Sequence, residues 1–369
     1  MATVKDQVLL EKSEKVLKAN IYPANSYRWG KYRMISPDRE HFKGIWNWDS
    51  AFHAIGMLAY DEELAKEQVL GFLQFQKEDG MLPDVIWETG KMEDAFSKPP
   101  VMTDAAWRVY QQTKDMDFLR SVYPAFVKNE GFWTSQRMDD GMFHFDARSD
   151  DCSVEKYRIR VGYESGMDDS PRWDISPAEY WAIDLNCYMV QMYRALAKMA
   201  EELGEDGKLW QEKEKALIAS VEERLWDENQ QAYVDRNRKT MAFSTVLTPC
   251  SFLPLYVGFA AEERAAAMHR IAVEQFMPGM PMVSYRNPEY SDGYWRGRCW
   301  LNMAYFALKG LKNYGYEETA NTMRETILDW VYSDGDCIHE NYNATTGKGM
   351  GVAHFSWSAV FVRERIENF

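Results

Sequence analysis

Apolar side chains recur every three or four positions through most of the chain, the spacing that places them on one face of an α-helix. The clearest example starts at Ser176, which suits an N-cap, with Pro177 at the first helical position and Glu179 completing a capping box. Gly204 is a usual helix terminator. The apolar stripe between them comprises Trp181, Leu185, Tyr188, Met192, Leu196, Met199 and Leu203. This pattern predicts one long helix with a buried face.

Similar but weaker periodicity predicts further helices along the chain. They cover residues 6–20, 51–60, 62–77, 104–112, 117–138, 206–225, 246–257, 261–275, 294–311, 317–332 and 355–366. We expect Pro124 to bend or interrupt the helix at 117–138. Residues 139–163 differ, because their short polar runs, such as Met142-Phe-His-Phe and Tyr157-Arg-Ile-Arg-Val, predict an extended hairpin.

The order of these elements predicts the architecture. About twelve helices are joined alternately by short turns and long loops, and no linker rich in Ser, Gly or Pro divides the chain. Six helical hairpins in one domain over residues 1–369 fit an all-α (α/α)6 barrel, in which inner helices are ringed by outer ones, with small β excursions. An α-solenoid is the alternative, although no strict repeat is present at a solenoid period.

Composition narrows the class of partner. The chain has 369 residues, 46% of them hydrophobic, and a formal charge of −14, which argues against nucleic acid and against an anionic membrane surface. Aromatic residues make up 14% of the chain and include 14 Trp and 21 Tyr, which suits a pocket that stacks against sugar rings or other flat ligands. We expect a small carbohydrate as the substrate; the sequence leaves the oligomeric state open.

The cysteines and the apolar runs indicate the compartment. The five cysteines are an odd number without metal-pair spacing, and we expect free thiols in a reducing compartment. The first 18 residues carry charges throughout and lack the apolar segment of a signal peptide. No apolar run reaches the length of a membrane-spanning helix. The sequence therefore predicts a soluble, cytoplasmic protein.

One acidic stretch, residues 163–173, has a composition that suits neither a core helix nor a strand. Glu164, Asp168 and Asp169 lie within six positions, and Asp174 follows at once. Clustered like charges repel, so one of these acids can stay protonated near neutral pH, as a general acid requires. The alternative is a solvated acidic turn that caps the next helix.

Other loops add candidate binding residues. Trp46, Trp48 and Asp49 offer rings for stacking and a carboxylate for paired hydroxyls, although Asp49 or Ser50 is also a plausible helix cap. In the stretch 76–100 most residues are turn formers, and only Gln76 and Lys98 are candidate ligand contacts.

Two pieces towards the C-terminus complete the set. Tyr294, Trp295 and Arg296 precede a predicted helix, and Glu340 lies in a loop beside His339, Tyr342 and Asn343. Glu340 is either a surface acid or part of a site, and its hydrogen-bonding neighbours favour the site.

The chain lacks the signatures of other chemistries: a Gly-x-Ser-x-Gly elbow, a P-loop, a dinucleotide fingerprint and a His-x-x-x-His zinc pair are all absent from the sequence. Asp334-Gly-Asp336 lacks the remaining ligands of a calcium loop. Asp and Glu among aromatic residues are the equipment of glycoside hydrolysis, in which one carboxyl protonates the leaving oxygen and another activates water or attacks carbon.

Four of these motifs, in this order, resemble those of glycoside hydrolase family 63 and, more distantly, the family 37 trehalases. They are Trp48-Asp-Ser, Glu164-Ser-Gly-x-Asp-x-Ser, Tyr294-Trp-Arg-Gly and Glu340-Asn-Tyr, within a region that extends from about Trp46 to Trp357. The chain is most similar to the compact, single-domain bacterial branch, some of whose members cleave mannosylglycerate or glucosylglycerate.

The resemblance implies an (α/α)6 barrel and an inverting mechanism on an α-glycoside, without metal or organic cofactor. Asp168 corresponds to the general acid and Glu340 to the general base. Such a pair should lie roughly 6.5–9.5 Å apart, which leaves room for a water molecule. Further motif positions imply contacts with the sugar; they are Trp46, Trp48, Asp49, Glu164, Gly166, Tyr294, Trp295, Arg296 and Trp357.

Two departures from the family pattern add positive charge. Lys98 stands where trehalase-like sequences usually carry Gln before two prolines, and Arg298 stands where many relatives have Pro. Two interpretations stay open: the leaving group is anionic, or these cations balance nearby carboxylates.

Two other classes of function are possible on the same barrel architecture. Sugar epimerases use paired His, and uronate lyases use Tyr or His beside cations. His53, His339 and His354 would supply such a pair, but neither class explains the carboxylate motif. A non-catalytic sugar-binding module would need the tryptophans and not both Asp168 and Glu340.

Overall fold

A computed structural model describes residues 3–147 and 154–369, with side chains in the second segment described from residue 158 onward. This part of the chain contains thirteen α-helices. They are α1 (Val4–Ala19), α2 (Asn47–Met57), α3 (Glu62–Leu73), α4 (Met102–Thr113), α5 (Met116–Arg137), α6 (Val154–Ser165), α7 (Ile183–Glu202), α8 (Lys208–Arg224), α9 (Leu253–Val257), α10 (Glu262–Ile271), α11 (Leu301–Asn313), α12 (Glu317–Ser333) and α13 (Ser356–Glu367).

Six helices form a closed inner ring. Helix α2 packs against α4, α4 against α7, α7 against α9, α9 against α11, α11 against α13, and α13 again against α2. Outer helices cover this ring: α3 lies on α2, α5 on α4 and α7, α8 on α7, α12 on α11, and α1 on α13. The fold is therefore helical with the (α/α)6 arrangement that the helical pattern predicts.

Burial distinguishes the two layers. Helix α7 buries fifteen of its 20 residues, because it contacts neighbours on both sides of the ring and its outer partner α8. Helix α8 buries only Trp210, Leu217 and Val221 of its 17 residues, as expected for a helix with one face in water. In the predicted stripe of α7, Leu185, Leu196 and Met199 are fully buried.

Short strands lie within the loops between the helices. They are β1 (Ile21–Tyr22), β2 (Met34–Ile35), β3 (Gly44–Trp46), β4 (Val85–Trp87), β5 (Met92–Glu93), β6 (Met138–Asp139), β7 (Met142–Phe143), β8 (Tyr180–Trp181), β9 (Trp226–Asp227), β10 (Ala232–Tyr233), β11 (Arg236–Asn237), β12 (Asn341–Tyr342) and β13 (Gly349–Met350).

Two of these pairings bring distant loops to the same end of the barrel. Strand β3 pairs antiparallel with β4, and the Asn47 N–H donates to the Asp84 carbonyl at 2.9 Å, which places the start of α2 beside the loop before α4. An isolated bridge joins Cys299 to Tyr342, which places the loop before α11 beside the loop of Glu340.

The predicted start of the α7 helix is wrong. Ser176 has a left-handed backbone (φ 51°) and its side chain makes no capping hydrogen bond. A 3-10 turn at Pro177–Glu179 and strand β8 follow, and α7 begins only at Ile183. The reason is that Tyr180 and Trp181 pair with β11, so their backbone groups are used in a sheet that local sequence does not reveal.

Two further boundaries differ from the predictions, and the predicted interruption of a helix at Pro124 is absent. The backbone of Cys299 pairs with Tyr342, so α11 starts at Leu301 and not at Tyr294. Residues 246–257 form only a 3-10 turn at Pro249–Phe252 and the short helix α9. Helix α5 accommodates Pro124 without interruption.

The hairpin predicted over residues 139–163 is correct only at its start, where β6 pairs with β7. The segment Val154–Ser165 is helical, so the prediction of an extended strand at 157–161 is wrong. Residues 148–153 lie outside the described residues.

The described cysteines Cys187, Cys250, Cys299 and Cys337 are free thiols, as predicted, whereas Cys152 lies outside the described residues. In the described part of the chain, every helix is too short or too polar to cross a membrane.

Candidate active site

A pocket of about 410 Å³ opens at the end of the barrel where the inner helices begin. Aromatic rings supply most of its wall, and one lysine and three carboxylic acids reach into it. Its lining comprises Pro37, Phe42, Trp46, Trp48, Asp49, Lys98, Gly166, Asp168, Tyr294, Trp295, Trp300, Glu340, Phe355 and Trp357. Ten of the thirteen residues predicted from sequence therefore meet in one place, including Asp168 and Glu340, which are 172 positions apart.

The other three predicted residues do not line the pocket and have protein partners. The Gln76 amide donates to the carbonyls of Gly80 and Ala125 at 3.0 and 2.8 Å. The fully buried Glu164 carboxylate accepts two hydrogen bonds of 2.9 Å from the Arg137 guanidinium. These contacts hold loops and helices together, and a role for these two residues in substrate binding stays a prediction.

Arg296 is directed to an acidic neighbour. Its guanidinium contacts both carboxylate oxygens of Asp174 at 2.7 Å and approaches Glu289 at 3.8 Å. The predicted contact of Arg296 with the sugar likewise stays a prediction.

Tryptophan rings form one wall of the pocket. Trp295 stacks on Trp300 with ring centroids 3.6 Å apart and planes within 9°. Trp48 packs against Trp357 at 4.9 Å and against Trp295 at 6.3 Å. Flat, largely dehydrated faces of this kind stack favourably on the C–H faces of a sugar ring.

Gly166 lets the acidic loop close against this wall. Its φ is +76°, and a Cβ atom built on it would lie 2.4 Å from the Trp48 ring. Only glycine combines this backbone with such close contact. The loop of Asp168 is thereby held against the ring of Trp48.

Arg172 fixes the other side of this loop. Its guanidinium makes bidentate contacts with Asp184 of α7 at 2.7 and 2.9 Å and with Asp235 at 2.8 Å, and it lies 4.5 Å from the Trp173 ring centroid. Bidentate, buried arginine–carboxylate contacts of this kind fix geometry strongly. Neither residue was predicted from sequence, because Asp184 lies inside the predicted helix and Asp235 lies 63 positions from Arg172.

Two consecutive residues, Tyr294 and Trp295, contact both the loop of Glu340 and the loop of Asp168. The Tyr294 hydroxyl donates a short hydrogen bond to Glu340 Oε1, and the Trp295 N–H donates to Asp169 Oδ1 at 2.7 Å. Asp169 is adjacent to Asp168, so Tyr294 and Trp295 connect the loops of both candidate catalytic carboxyls. This hydrogen bond gives Asp169 a positioning role.

The environment of Asp168 favours its protonated form. Burial raises the pKa of Asp168 to about 6, and the neighbouring Asp169 adds to the rise, while the Lys98 ammonium works against it. A carboxyl that keeps its proton until near neutral pH is suited to general acid catalysis.

Glu340 is surrounded by hydrogen-bond donors. Its side chain is 3% exposed, Oε1 accepts from Tyr294, and Oε2 accepts from the Val352 N–H at 3.3 Å. Burial raises the pKa of Glu340 and the charge of Asp168 adds to this rise, whereas the two hydrogen bonds oppose it. The pKa of Glu340 is therefore raised overall, and the donors directed at both oxygens limit that rise, as a general base requires.

Lys98 lies among carboxylates in the pocket lining. Its ammonium approaches Asp84 Oδ1 at 3.3 Å and donates a short hydrogen bond to the Tyr163 carbonyl. Burial opposes the charge of Lys98, but Asp84, Asp168 and Asp49 outweigh it and raise the pKa of Lys98. Of the two interpretations left open by sequence, these contacts favour balancing of nearby carboxylates.

Asp84 was missed in the sequence. Its side chain is 6% exposed and its Oδ1 atom has no hydrogen-bond partner of good geometry among the described residues. The available signal was a lone acid inside the apolar run Met81–Trp87, which is unusual unless the acid is paired.

Asp49 also differs from an ordinary surface acid. Burial raises the pKa of Asp49 to about 8, with Asp84 and Glu340 adding to the rise and Lys98 opposing it. Neither Asp49 nor Ser50 caps α2: the N-cap is Trp46, whose carbonyl accepts from the Ser50 hydroxyl at 2.7 Å. A neutral Asp49 can both donate to and accept from a sugar hydroxyl.

Arg298 lies outside the pocket lining. Its guanidinium donates to the Asp292 carbonyl at 3.1 Å and to Asn341 Oδ1 at 3.3 Å, and it is 5.9 Å from the centroid of the Tyr294 ring. Its nearest contacts are therefore with the loops that carry Tyr294 and Glu340.

The three histidines considered for an epimerase or lyase do not line this pocket. His53 is fully buried with Nε2 2.6 Å from the Ser356 hydroxyl, and burial lowers the pKa of His53 to about 3. His339 Nδ1 lies 2.5 Å from Asp334, and His354 is exposed. Among the described residues, no group of three His, Cys, Asp or Glu side chains is arranged to hold a metal ion.

Comparison with known proteins identifies the family. The family of mannosylglycerate hydrolase MGH1-like glycoside hydrolase domains matches residues 43–358, which include every pocket residue except Pro37 and Phe42. The chain is 24% identical to a mannosylglycerate hydrolase from Rubrobacter radiotolerans, over 91% of this chain and 93% of that protein. It is 26% identical to a mannosylglycerate hydrolase from Selaginella moellendorffii, over 85% and 78% of the two chains.

Solved structures share the fold. A family 63 mannosylglycerate hydrolase from Thermus thermophilus, in complex with Tris and D-glycerate, superposes with a TM-score of 0.82 over 96% of this chain and 99% of that one, at 22% identity. A neutral trehalase from Saccharomyces cerevisiae gives a TM-score of 0.77 over 98% and 80%, at 19% identity. From the family match over most of its length, the chain belongs to the mannosylglycerate hydrolase MGH1-like domains of glycoside hydrolase family 63.

Proposed function

We propose that this protein is an inverting α-glycosidase that hydrolyses a small α-mannoside or α-glucoside, with Asp168 as general acid and Glu340 as general base. The observation that carries the proposal is that these two carboxyls, far apart in sequence, reach into one aromatic pocket in different environments. Asp168 has a carboxylate neighbour that favours its proton, and Glu340 has two hydrogen-bond donors that favour its charge. Burial raises the pKa of both acids, so the division into a proton donor and a proton acceptor that glycoside hydrolysis requires rests on these different neighbours.

The mechanism divides the proton transfers between them. Asp168 donates its proton to the glycosidic oxygen as the bond from that oxygen to the anomeric carbon breaks, and the aglycone leaves as an alcohol. Glu340 removes a proton from a water molecule whose oxygen forms the new bond to the same carbon from the opposite face. The configuration at that carbon therefore inverts. Both carboxyls end with the opposite protonation state, and exchange with solvent restores them.

The remaining pocket residues bind and orient the sugar in this mechanism. Trp295 and Trp357 contribute faces for the ring, and Asp49 and Lys98 contribute groups for its hydroxyls. Holding the anomeric carbon between Asp168 and Glu340 supplies much of the rate enhancement, because a positioned reactant avoids the entropic cost of encounter.

The aglycone in the proposal is small and anionic, with glycerate as the first candidate. The relatives from Rubrobacter and Selaginella are mannosylglycerate hydrolases, and the Thermus enzyme of the same fold was solved with D-glycerate. Trehalose is the alternative substrate, because the chain is also similar to trehalases.

A substrate panel tests the proposal. The purified protein is incubated with α-mannosylglycerate, α-glucosylglycerate, trehalose and the matching β-linked glycosides, and free hexose is measured. We expect release from a glycerate α-conjugate at least tenfold faster than from trehalose, and none from the β-glycosides. Release of no hexose from any α-glycoside, or isomerisation of a free sugar without hydrolysis, would overturn the proposal.

A further inference from the structure

One hydrogen bond joins an aromatic residue of the pocket to the candidate general base. The Tyr294 hydroxyl donates a short bond to Glu340 Oε1, and the Val352 N–H donates to Oε2 at 3.3 Å. Each oxygen of this buried carboxylate therefore has a donor from the protein, and the two donors come from different loops. Charge-assisted bonds of this kind are strong and fix the orientation of a carboxylate.

Tyr294 is itself fixed by its neighbours. The Trp300 indole N–H donates to the Tyr294 carbonyl at 2.8 Å, and the two rings meet edge to face with centroids 4.9 Å apart. The next residue, Trp295, donates its backbone N–H to Asp169 at 2.7 Å. Because its backbone and ring are both held, Tyr294 presents its hydroxyl to Glu340 from a rigid support.

We propose that Tyr294 is a positioning residue for the general base: its hydroxyl keeps Glu340 ionised and oriented, in place of the sugar contact that its motif position implies. The proposal rests on the function proposed above. A hydroxyl has one proton to donate, and in Tyr294 that proton is directed at Glu340 Oε1. An inverting reaction needs a water molecule between the base and the anomeric carbon, so a rotated carboxylate would misplace that water.

Two other roles for Tyr294 predict different results. Burial raises the pKa of Tyr294 and the Glu340 charge adds to the rise, so the hydroxyl keeps its proton and is unsuited to act as a base or nucleophile itself. If the hydroxyl served mainly to bind the sugar, its removal would raise KM and leave the proton affinity of Glu340 unchanged.

Charged and titratable groups surround Glu340 from several elements. Besides Tyr294 they are Asp49 of α2, Lys98 of the loop before α4, Asp168 of the loop after α6, Arg298 of the loop before α11 and, in the same loop as Glu340, His339, which is paired with Asp334. Burial is the largest cause of the raised pKa of Glu340, and the bond from Tyr294 is the largest cause that opposes it. The loss of this bond should therefore be visible in the titration of Glu340.

Tyr294→Phe removes the hydroxyl and keeps the ring. A donor on the ionised carboxylate favours ionisation, so its loss raises the pKa of Glu340. The acid limb of kcat/KM against pH, which reports the base of the free enzyme, should move up by about one pH unit. As the pH falls, activity is then lost earlier than in the unaltered protein. At the optimum pH, kcat should fall by about tenfold and KM should stay within about twofold.

Tyr342→Phe is the matched control. Tyr342 lies in the same loop as Glu340 and is fully buried, but its hydroxyl donates to Asp334 at 3.0 Å. Its removal should lower the temperature of thermal unfolding, because a buried hydrogen bond is lost. The acid limb should stay in place, because both donors to Glu340 remain. The control therefore separates a loosened loop from the loss of the bond itself.

The measurement has two readouts. One is the pH profile of kcat/KM, with kcat and KM resolved at the optimum. The other is carbon-13 NMR of protein labelled at the glutamate side-chain carboxyls, which follows the titration of Glu340 without substrate. The signal that is missing from Glu340→Gln assigns this residue. Circular dichroism verifies the fold of each variant.

An upward shift of the Glu340 titration in Tyr294→Phe and not in Tyr342→Phe, with a loss in kcat, supports the proposal. No shift in Tyr294→Phe, equal shifts in the two variants, or a rise in KM larger than the fall in kcat overturns it. The two proposals fail separately, because the NMR titration does not depend on catalysis. The expected NMR shift in a protein that hydrolyses no glycoside would contradict only the proposed function. Hydrolysis without that shift would contradict only the role of Tyr294.

Discussion

The pocket at one end of the barrel is lined by several carboxyls and the cavity at the other end by several cations, and the two sets of charges differ in how far partners neutralise them. At the end where the inner helices begin, Asp49, Asp168 and Glu340 share a pocket with the single cation Lys98 among the described lining residues. At the end where they finish, a wider cavity of about 1580 Å³ is lined by four cationic side chains and one acid, Glu364. The cations are Arg108, Arg194, Lys309 and Arg363.

The cations of the second end have protein partners. Arg194 donates to the carbonyl of Val257, the last residue of α9, at 2.8 Å, and Lys309 donates to the carbonyl of Asn368 at 2.9 Å. Arg108 donates to Asp104 and to the hydroxyl of Tyr256, each at 2.9 Å. The last carbonyls of a helix have no partner within the helix and carry partial negative charge, so cations there stabilise the fold.

The difference indicates where chemistry takes place. Where cations are matched by backbone carbonyls and side-chain partners, these contacts contribute to stability. Where three carboxyls face one ammonium, burial raises the pKa of each carboxyl, which suits a site that transfers protons. The size of a cavity is therefore a poorer guide to the active site than the state of its charges.

The largest predicted effect is the loss of activity when either candidate catalytic carboxyl is replaced by its amide. Asp168→Asn and Glu340→Gln should each lower kcat/KM by about 10³-fold, because each removes one of the two proton transfers. Thermal unfolding should change by only a few degrees, since both substitutions are nearly isosteric. The matched control is Glu179→Gln, an acid near the motif whose partner is the exposed Lys239, which should leave kcat/KM unchanged. Activity in Asp168→Asn close to that of the control would refute the assignment.

A smaller loss of kcat/KM is predicted for a substitution that changes the shape of the pocket. Gly166→Ala places a methyl group 2.4 Å from the Trp48 ring, so the loop of Asp168 must shift. Misplacement by about 1 Å typically lowers kcat/KM by about 10²-fold. Gly204→Ala is the matched control, because Gly204 has a similar φ of +78° but no heavy atom within 4 Å of the added carbon. The left-handed backbone costs each variant about 1 kcal/mol in the free energy of unfolding, and the overpacking against Trp48 costs Gly166→Ala about 1–3 kcal/mol more. Equal kcat/KM values in the two variants would contradict the role of Gly166.

The smallest effect is predicted at the cationic end. Arg194→Met removes a bond to the end of α9 and a partly exposed pair with Glu214. The free energy of unfolding, measured by urea denaturation, should fall by about 1 kcal/mol. The value of kcat/KM should stay within twofold of the unaltered protein. A tenfold loss of activity would show that the two ends are coupled and that their separation into chemistry and stability is wrong.

Sequence predicted the parts of this molecule that local pattern determines. The stripe of α7 from Leu185 to Met199 is buried as expected, because its spacing alone specifies a helix face. The two candidate catalytic residues were assigned from motifs, and the structure brings both into one pocket. Their chemical roles stay predictions.

Local sequence patterns could not predict contacts between segments that are distant in the chain. The capping signal at Ser176 was outweighed by the pairing of β8 with β11, which lies more than fifty residues later. The bond from the Trp295 N–H to Asp169 spans 126 positions and holds residues 294–300 in a loop where periodicity predicted a helix. Asp84 was missed for a similar reason, since its importance depends on Lys98.

The stereochemistry of the product tests the central claim most directly. Proton NMR is recorded within the first minutes of hydrolysis of the best α-linked substrate, before the released sugar mutarotates. An acid–base pair that admits a water molecule between Glu340 and the anomeric carbon predicts that the β-anomer appears first. Initial appearance of the α-anomer would contradict the account, because it would require a carboxylate that attacks the anomeric carbon itself.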